Sequence, residues 1–251
     1  ILPGGWQGRI PPITLAGRHK TIDRYIAQNP WLDTKRPGTI LDLGCGFPPD
    51  TTVELASSLP HWNVLGADPS LPVHMLYDHN ENYASFDEHG RAYYFQPAVP
   101  TVENWNELLE DSGATRERFE RLLQESLASA NQATVGTRLI SNPVRDYEKG
   151  NLSFLRGGIG KLDIDPVDII RCFNVLYYFD KDFRQQALCW FEEKLRDGGL
   201  LLIGGDWALS TEARYYTYQK IDDRLRAREF AFSIDNLCPL GIMTWYTNHD
   251  D

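Results

Sequence analysis

The sequence lacks the features of a disulfide-bonded, metal-binding or membrane-embedded protein. Its four cysteines, Cys45, Cys172, Cys189 and Cys238, form no C-x-x-C pair and no metal-binding spacing with histidine. Structural zinc is therefore not expected, nor is a disulfide framework in a chain of 251 residues. The longest strongly apolar stretches, such as 200–203, are strand-sized, whereas a membrane span needs about 20 residues. These absences predict a cytoplasmic protein with reduced thiols, no bound metal and no membrane partner.

Basic residues are also in deficit. The chain has 25 Lys and Arg against 35 Asp and Glu, which gives a formal net charge of −10. Affinity for phosphate backbones depends on clustered Lys and Arg, so the balance argues against a nucleic-acid partner. A small or neutral substrate, or a basic protein, suits this charge better. The hydrophobic share of 42% is enough to build one large α/β core.

Short apolar runs alternate with amphipathic segments along the chain. This alternation predicts a doubly wound, mostly parallel Rossmann-like α/β sheet with helices on both faces. The predicted strands lie within 39–46, 62–67, 167–172 and 200–204, and the predicted helices at 17–29, 50–59, 181–195 and 211–226. Two further segments, 229–234 and 241–246, are typical of an antiparallel C-terminal hairpin.

We predict a single domain over 1–251, with an N-terminal arm at 1–38 and an insertion at about 74–150. The amphipathic pattern of Val102–Leu127 indicates a long helix, so the insertion is expected to be helical and to form a lid over the carboxyl edge of the sheet. A peripheral decoration or a dimer surface is the alternative. For the third core strand, Asn151–Leu155 is favoured over Arg91–Gln96.

The end of the first predicted strand is the expected ligand site, because open α/β sheets bind ligands where strands end and the strand order reverses. Gly44 and Gly46 let the backbone approach a ligand closely, and Asp42 precedes them. Asp68 ends the second strand, where a carboxylate can bind both hydroxyls of a ribose.

Three interpretations of this glycine loop compete. A dinucleotide fingerprint requires a glycine where Pro49 stands, and a pyrophosphate would be repelled by Asp42. S-adenosylmethionine has no phosphate and carries an ammonium and a sulfonium, which neighbouring carboxylates stabilise. A tight turn with no ligand would leave the position of Asp68 unexplained. The residues therefore favour S-adenosylmethionine.

Four segments, in order along the chain, resemble one family. Ile40–Gly46 looks like motif I of the class I S-adenosylmethionine-dependent methyltransferases, and Val64–Asp68 resembles their second motif. Val167–Phe179 is similar to their fourth strand and the following turn, and Leu195–Ile203 to their fifth strand. Within the third segment and just beyond it, Phe173–Asp180 also resembles the chemotaxis-receptor glutamate methyltransferases, whose motif I differs from this one.

The resemblance implies a class I methyltransferase domain with a cofactor site at the matching positions. The implied S-adenosyl-L-methionine-binding residues are Asp42, Gly44, Cys45, Gly46, Asp68, Pro69, Gly158, Ile159 and Asn174. Of these, Gly158 stands where the family often has an acidic residue beside the adenine. Asp163 or a backbone carbonyl is the expected substitute.

We predict an enzyme that transfers a methyl group in line from S-adenosylmethionine to an oxygen or nitrogen of a small-molecule acceptor. A protein side-chain methyltransferase and a non-catalytic cofactor-binding protein are the alternatives. No catalytic residue is assigned. Asp206, Tyr178 and His74 are candidates for a general base, which only an acceptor that must lose a proton requires. All six histidines are expected at the surface, and the oligomeric state is left open.

Overall fold

A computed structural model of the chain describes residues 16–33, 35–99, 101–128, 136–206 and 213–232. The described residues form two compact units, a core unit within 14–69 and 147–251 and an insertion unit within 70–146. The helices are α1 (Lys20–Ala27), α2 (Asp50–Ser58), α3 (Val102–Leu109), α4 (Ser112–Ala128) and α5 (Lys181–Lys194). The strands are β1 (Thr39–Leu43), β2 (Asn63–Ala67), β3 (His74–Tyr77), β4 (Tyr83–Phe86), β5 (Ala92–Gln96), β6 (Arg138–Ser141), β7 (Leu152–Leu155), β8 (Val167–Phe173), β9 (Leu195–Asp206), β10 (Ala213–Ile221) and β11 (Arg224–Phe232).

The core unit contains a seven-stranded sheet in the order β11-β10-β9-β8-β1-β2-β7. The pairs from β9 to β7 are parallel, whereas β10 pairs antiparallel with both β9 and β11. This architecture confirms the predicted mostly parallel Rossmann-like sheet with an antiparallel C-terminal hairpin. The favoured third strand is also confirmed, because β7 pairs with β2 through Leu65 and Ser153.

The core lies where α1 and α2 cover one face of this sheet. Ile22 and Ile26 of α1 and Leu55 of α2 are at most 1% exposed and belong to one cluster with Ile40 and Leu200 of the strands. Strands of a parallel sheet are covered on both faces, which is why β1 and β8 appear in the sequence as almost unbroken apolar runs.

The insertion unit is built differently from the prediction. It contains a four-stranded antiparallel sheet in the order β5-β4-β3-β6. The predicted helix is present as two helices, α3 and α4, and Phe119 and Leu123 of α4 are buried in one cluster with Phe86 and Phe95 of the sheet. The unit is therefore mixed α and β rather than helical. Strands of four or five residues leave little periodicity for a sequence pattern to reveal.

The predicted helix over 211–226 is wrong. The described part of this segment forms β10 and the start of β11, joined at Asp222 and Asp223, whose φ angles of 51° and 59° suit a two-residue hairpin turn. Pairing with the open edge of β9 satisfies the backbone of β10, and Thr217 becomes fully buried. Of the predicted C-terminal hairpin, 229–232 lies in β11, paired with β10. The segments 1–15 and 241–246 lie outside the described residues.

Within the described ranges, none of the helices combines the length and apolarity needed to cross a membrane.

Candidate functional site

The loop that follows β1, residues 44–49, is the centre of the candidate site; we call it the first loop. Gly44 and Gly46 have φ angles of 77° and 65°, in the left-handed region that favours glycine. The N–H of Gly44 donates to the carbonyl of Ala67 over 2.8 Å, which fixes the start of the loop to the end of β2.

Asp68 is brought to the same place. Its side chain is buried, and its Oδ2 atom accepts a hydrogen bond of 3.0 Å from the N–H of Gly46. The carboxylate expected to hold a ribose and the glycine expected to face the cofactor are therefore in direct contact. A carboxylate has about four lone-pair positions, and the Gly46 N–H occupies one of them.

The turn after β7 lies against the turn after β2. A Cβ atom added to Gly158 would lie 3.7 Å from Cδ of Pro69, and the N–H of Gly157 donates to the carbonyl of Asp68 over 3.4 Å. Gly158 and Ile159 are half-buried here. The structure thus places the predicted ribose and adenine residues side by side. A side chain at 158 would make only ordinary contact with Pro69.

Asp163 does not join this turn. It is exposed and lines a cavity of about 480 Å³ together with Thr39 and Asn63, the first residues of β1 and β2. The amino ends of the strands form the sheet edge opposite the first loop. The expectation that Asp163 replaces the missing acidic residue beside the adenine is therefore wrong.

Asn174 follows β8 at the carboxyl edge of the sheet. Its φ angle is 59°, and its N–H donates to the carbonyl of Gly204 in β9 over 2.8 Å. Asparagine tolerates this left-handed conformation better than most residues. The predicted cofactor residues of β1, β2, β7 and β8 therefore all lie at strand ends on one edge of the sheet.

Asp42 is paired within the core unit. The residue is 3% exposed, and its carboxylate accepts hydrogen bonds from Nε and Nη2 of Arg171, at 2.8 and 2.6 Å, and from Oγ1 of Thr52 at 2.6 Å. Burial raises the pKa of Asp42, but the charge and hydrogen bonds of Arg171 outweigh burial and hold the pKa below its usual value. Asp42 is thus an ionised group that supports the loop from beneath, and its charge is compensated.

Arg171 and Asp23 are the site residues that sequence reasoning missed. Arg171 is fully buried in the middle of β8, and besides Asp42 its guanidinium binds Oδ1 of Asp23 in α1 and the carbonyl of Thr51 in α2. An arginine flanked by Ile169, Ile170 and Cys172 within a buried strand is a usable signal, because a buried charge has to be paired. Burial raises the pKa of Asp23 to about 6, although Arg171 and His19 both act to lower it.

Cys45 contributes packing rather than a reactive thiolate. Its side chain is 2% exposed, and burial, followed by the nearby carboxylates of Asp68 and Asp42, raises the pKa of the thiol well above its usual value. A thiol held protonated is a poor nucleophile.

The three candidates for a general base lie in different elements. Tyr178 is 40% exposed in the short 3-10 turn 176–178 that follows Asn174. Asp206 ends β9, opposite Ala213 of β10. His74 lies in β3 of the insertion unit, where its Nδ1 atom is 3.2 Å from Oγ of Ser141.

His19 contradicts the expectation that every histidine is at the surface. It is 6% exposed, and its ring centroid lies 5.4 Å from that of Phe173, the last residue of β8. Tyr215 of β10 packs on the same phenylalanine, with 6.1 Å between ring centroids, and Tyr25 of α1 packs on Tyr215 at 5.2 Å. We call Tyr25, Phe173 and Tyr215, together with His19, the aromatic cluster.

The shape of the first loop predicts an unequal effect of alanine at two glycines. Gly44 and Gly160 share a φ angle of 77°, so each substitution should cost about 1–2 kcal/mol of backbone strain. A Cβ atom at Gly44 would also collide with Cγ2 of Val175, whereas one at Gly160 meets nothing within 4 Å. We expect Gly44→Ala to lower the free energy of unfolding by about 1–3 kcal/mol more than Gly160→Ala, measured by urea denaturation.

Removal of the colliding methyl supplies the check. In a Val175→Ala background, the difference between the two glycine variants should shrink. Equal losses in the wild-type background would mean that Val175 does not restrict the first loop.

This arrangement defines an α/β domain in which a glycine loop and a buried carboxylate meet at the carboxyl edge of the sheet, the position at which open α/β sheets bind ligands. Residues 160–224, about a quarter of the chain, match the family described as CheR methyltransferase, SAM binding domain. The matched segment contains β8, α5, β9 and β10. The match supports the predicted methyl-transfer enzyme with S-adenosylmethionine as its cofactor, and it includes the Phe173–Asp180 stretch on which the same resemblance was noted.

Solved methyltransferase structures align with the chain at low identity. PKMT2 from Rickettsia typhi in complex with AdoHcy is 13% identical, with a TM-score of 0.38, over 77% of this chain and 27% of that one. Coclaurine N-methyltransferase bound to N-methylheliamine and SAH is 13% identical, with a TM-score of 0.37, over 77% and 38%. A putative S-adenosyl-L-methionine-dependent methyltransferase from Methanococcus maripaludis is 13% identical, with a TM-score of 0.37, over 80% and 59%.

The chain thus spans between about a quarter and three fifths of the length of these structures. No curated protein matches the sequence significantly.

Proposed function

We propose that this chain transfers a methyl group from S-adenosylmethionine to an oxygen or nitrogen of a small-molecule acceptor. The observation that carries the proposal is the hydrogen bond from the Gly46 N–H to Asp68, which joins a left-handed glycine loop to a buried carboxylate at the next strand end. This juxtaposition suits a ligand with a ribose between an amino-acid part and a base.

The residues at this edge fit the proposed cofactor. Asp68 can accept hydrogen bonds from ribose hydroxyls, and the turn at Gly158 and Ile159 adjoins Pro69, where the adenine is expected. When bound, S-adenosylmethionine supplies a methyl carbon activated by its sulfonium. The chain then has to orient the two partners in line, and positioning of this kind supplies most of the rate.

Two observations support a small, uncharged acceptor. The net charge of −10 argues against a nucleic-acid acceptor. The buried aromatic cluster includes Phe173, directly before Asn174, so apolar rings pack next to the strand end where an acceptor is expected. If that acceptor is a hydroxyl, a proton has to leave, and the exposed Tyr178 is a candidate to receive it.

A protein side chain is the second candidate acceptor. The match of residues 160–224 to the CheR methyltransferase domain favours it, because the receptor methyltransferases that Phe173–Asp180 resembles modify glutamate side chains. The two acceptor classes differ chemically, since a methylated carboxylate is an ester that base hydrolyses to methanol.

A transfer assay distinguishes these proposals. The protein is incubated with S-adenosylmethionine radiolabelled in its methyl group and with a cell extract divided by filtration into metabolites and macromolecules. We expect label in the metabolite fraction, stable to base, and much less of it with the Asp68→Ala variant when S-adenosylmethionine is below saturation. Base-labile label on protein would replace our proposal with the second candidate. Tight cofactor binding without transfer to either fraction would indicate the non-catalytic alternative.

A further inference from the structure

The buried network of Asp23, Arg171 and Asp42 joins four elements behind the first loop. Arg171 of β8 binds both oxygens of Asp42 in β1, one oxygen of Asp23 in α1 and the carbonyl of Thr51 in α2. The side chains of Arg171, Asp23 and Asp42 are 0%, 4% and 5% exposed. The network is therefore shielded from salt and water. In this environment its charge acts over a longer distance than a charge at the surface.

The network has more negative than positive charge. Asp42 makes the two-pronged contact with the guanidinium, so its charge is matched by that of Arg171. Asp23 makes a single contact with the same guanidinium, at Nη1. Two carboxylates share one cation, which leaves one negative charge when both are ionised. Asp42, which shares this guanidinium with Asp23, comes two residues before Gly44, where the methionine end of the cofactor is expected.

The cofactor and its product differ by one charge. S-adenosylmethionine has a positively charged sulfonium, and S-adenosylhomocysteine, formed when the methyl leaves, has a neutral thioether. A buried negative charge stabilises the first ligand more than the second, whereas hydrogen bonds to ribose and adenine contribute equally to both.

We propose that Asp23 is a specificity-determining positioning residue, whose charge, held by Arg171 behind the first loop, makes the site prefer the charged cofactor over its neutral product. The inference rests on the proposed function and deepens it. Asp23 contacts neither the acceptor nor the methyl group. It acts through Arg171 and Asp42, so a residue of α1 influences which of the two ligands the site binds more tightly.

The proposal implies a dependence on pH whose direction follows from Asp23. The ionisable groups that face it are His19 in the preceding turn, Asp42 in β1, Glu54 in α2 and Arg171 in β8. With a pKa of about 6, Asp23 is ionised well above that pH and neutral well below it. The preference for S-adenosylmethionine is therefore present at high pH and is lost as the pH falls through about 6.

The test compares dissociation constants of both ligands by calorimetry. Asp23→Asn keeps the shape of the side chain and an oxygen that accepts from Arg171, but removes the charge. A unit charge on the order of 10 Å away, at an effective dielectric constant of about 20–40, changes a binding constant by roughly 4-fold to 17-fold. We therefore expect Asp23→Asn to weaken S-adenosylmethionine by roughly 4-fold to 17-fold more than S-adenosylhomocysteine at about pH 8.

Asp33→Asn is the matched control. Asp33 lies a few residues beyond α1, and its side chain is 55% exposed in a pair with Arg36. The substitution removes the same charge from an exposed position, where water and salt screen it. It should therefore leave the ratio of the two dissociation constants unchanged. The wild-type ratio should fall towards that of Asp23→Asn at about pH 5, and this arm requires no variant.

Three results would count against us. An equal loss for both ligands in Asp23→Asn would assign Asp23 a structural role only, and unchanged affinity for both ligands would remove it from the site. A wild-type ratio of the two dissociation constants that does not change with pH would exclude Asp23 as the source of the preference. Failure of the wild type to bind either ligand would instead overturn the proposed function, and it is distinguishable because every variant and the Asp33 control would share it.

Discussion

Replacing Asp68 by alanine is expected to weaken S-adenosylmethionine binding by about 1.5–3 kcal/mol, the cost of losing a hydrogen bond to a charged group. In the dissociation constant this is roughly one to two orders of magnitude. The substitution also removes the acceptor of the buried Gly46 N–H, so the first loop loses its connection to the end of β2 at that point. Isothermal titration of the folded variant measures the effect.

Asp168→Ala is the matched control for this variant. Its carboxylate also accepts a backbone N–H, that of Thr39 over 2.7 Å, but at the amino end of β8, on the opposite edge of the sheet. The Asp168→Ala substitution should lower the stability of the protein and leave its affinity for the cofactor unchanged. Undiminished affinity in a folded Asp68→Ala variant would remove Asp68 from the cofactor site.

The largest effect on stability is expected from Arg171→Met. Methionine is similar in length and apolar, but it leaves the carboxylates of Asp23 and Asp42 buried without their cation. Breaking a buried ion pair by removing one partner typically costs about 3–5 kcal/mol. The loss should appear as a lower midpoint of urea unfolding with an unchanged slope.

A surface arginine provides the comparison. Arg36→Met removes the same charge from an exposed pair with Asp33 and should cost at most about 1 kcal/mol. Adding Asp23→Asn to Arg171→Met should recover part of the loss, because one buried charge is then removed. Equal costs for the two arginine variants would mean that the buried network does not contribute to folding.

The residues at the carboxyl edge of the sheet could be predicted, because the local sequence pattern marks the strand ends and the parallel topology brings those ends together. The run Thr39–Leu43 ends in two glycines, and the run Asn63–Ala67 ends in Asp68. Parallel neighbours place both ends at one edge. The contact between Gly46 and Asp68 follows from that topology without knowledge of any long-range side-chain pairing. The cofactor contacts themselves stay predictions.

The parts that failed depend on partners distant in sequence. β10 contains three tyrosines, Thr217 and Ile221, which favour a strand, and the edge of β9 supplies the ladder of backbone hydrogen bonds that the helix prediction left out of account. The ion pair of Asp42 was not predicted, because its partner Arg171 is 129 residues away along the chain. His19 looked exposed because Arg18 and Lys20 flank it, while its ring packs on Phe173.

The shared guanidinium also restricts how this protein can change over evolutionary time. Loss of Arg171 alone leaves two buried carboxylates without their cation. Replacing all members of a buried ionic group together by apolar residues of similar volume, in contrast, often changes the stability little. Substitutions at positions 23, 42 and 171 are therefore tolerated during evolution only when they occur together. Among homologous sequences, these three positions should covary, although they lie in three separate elements of the chain.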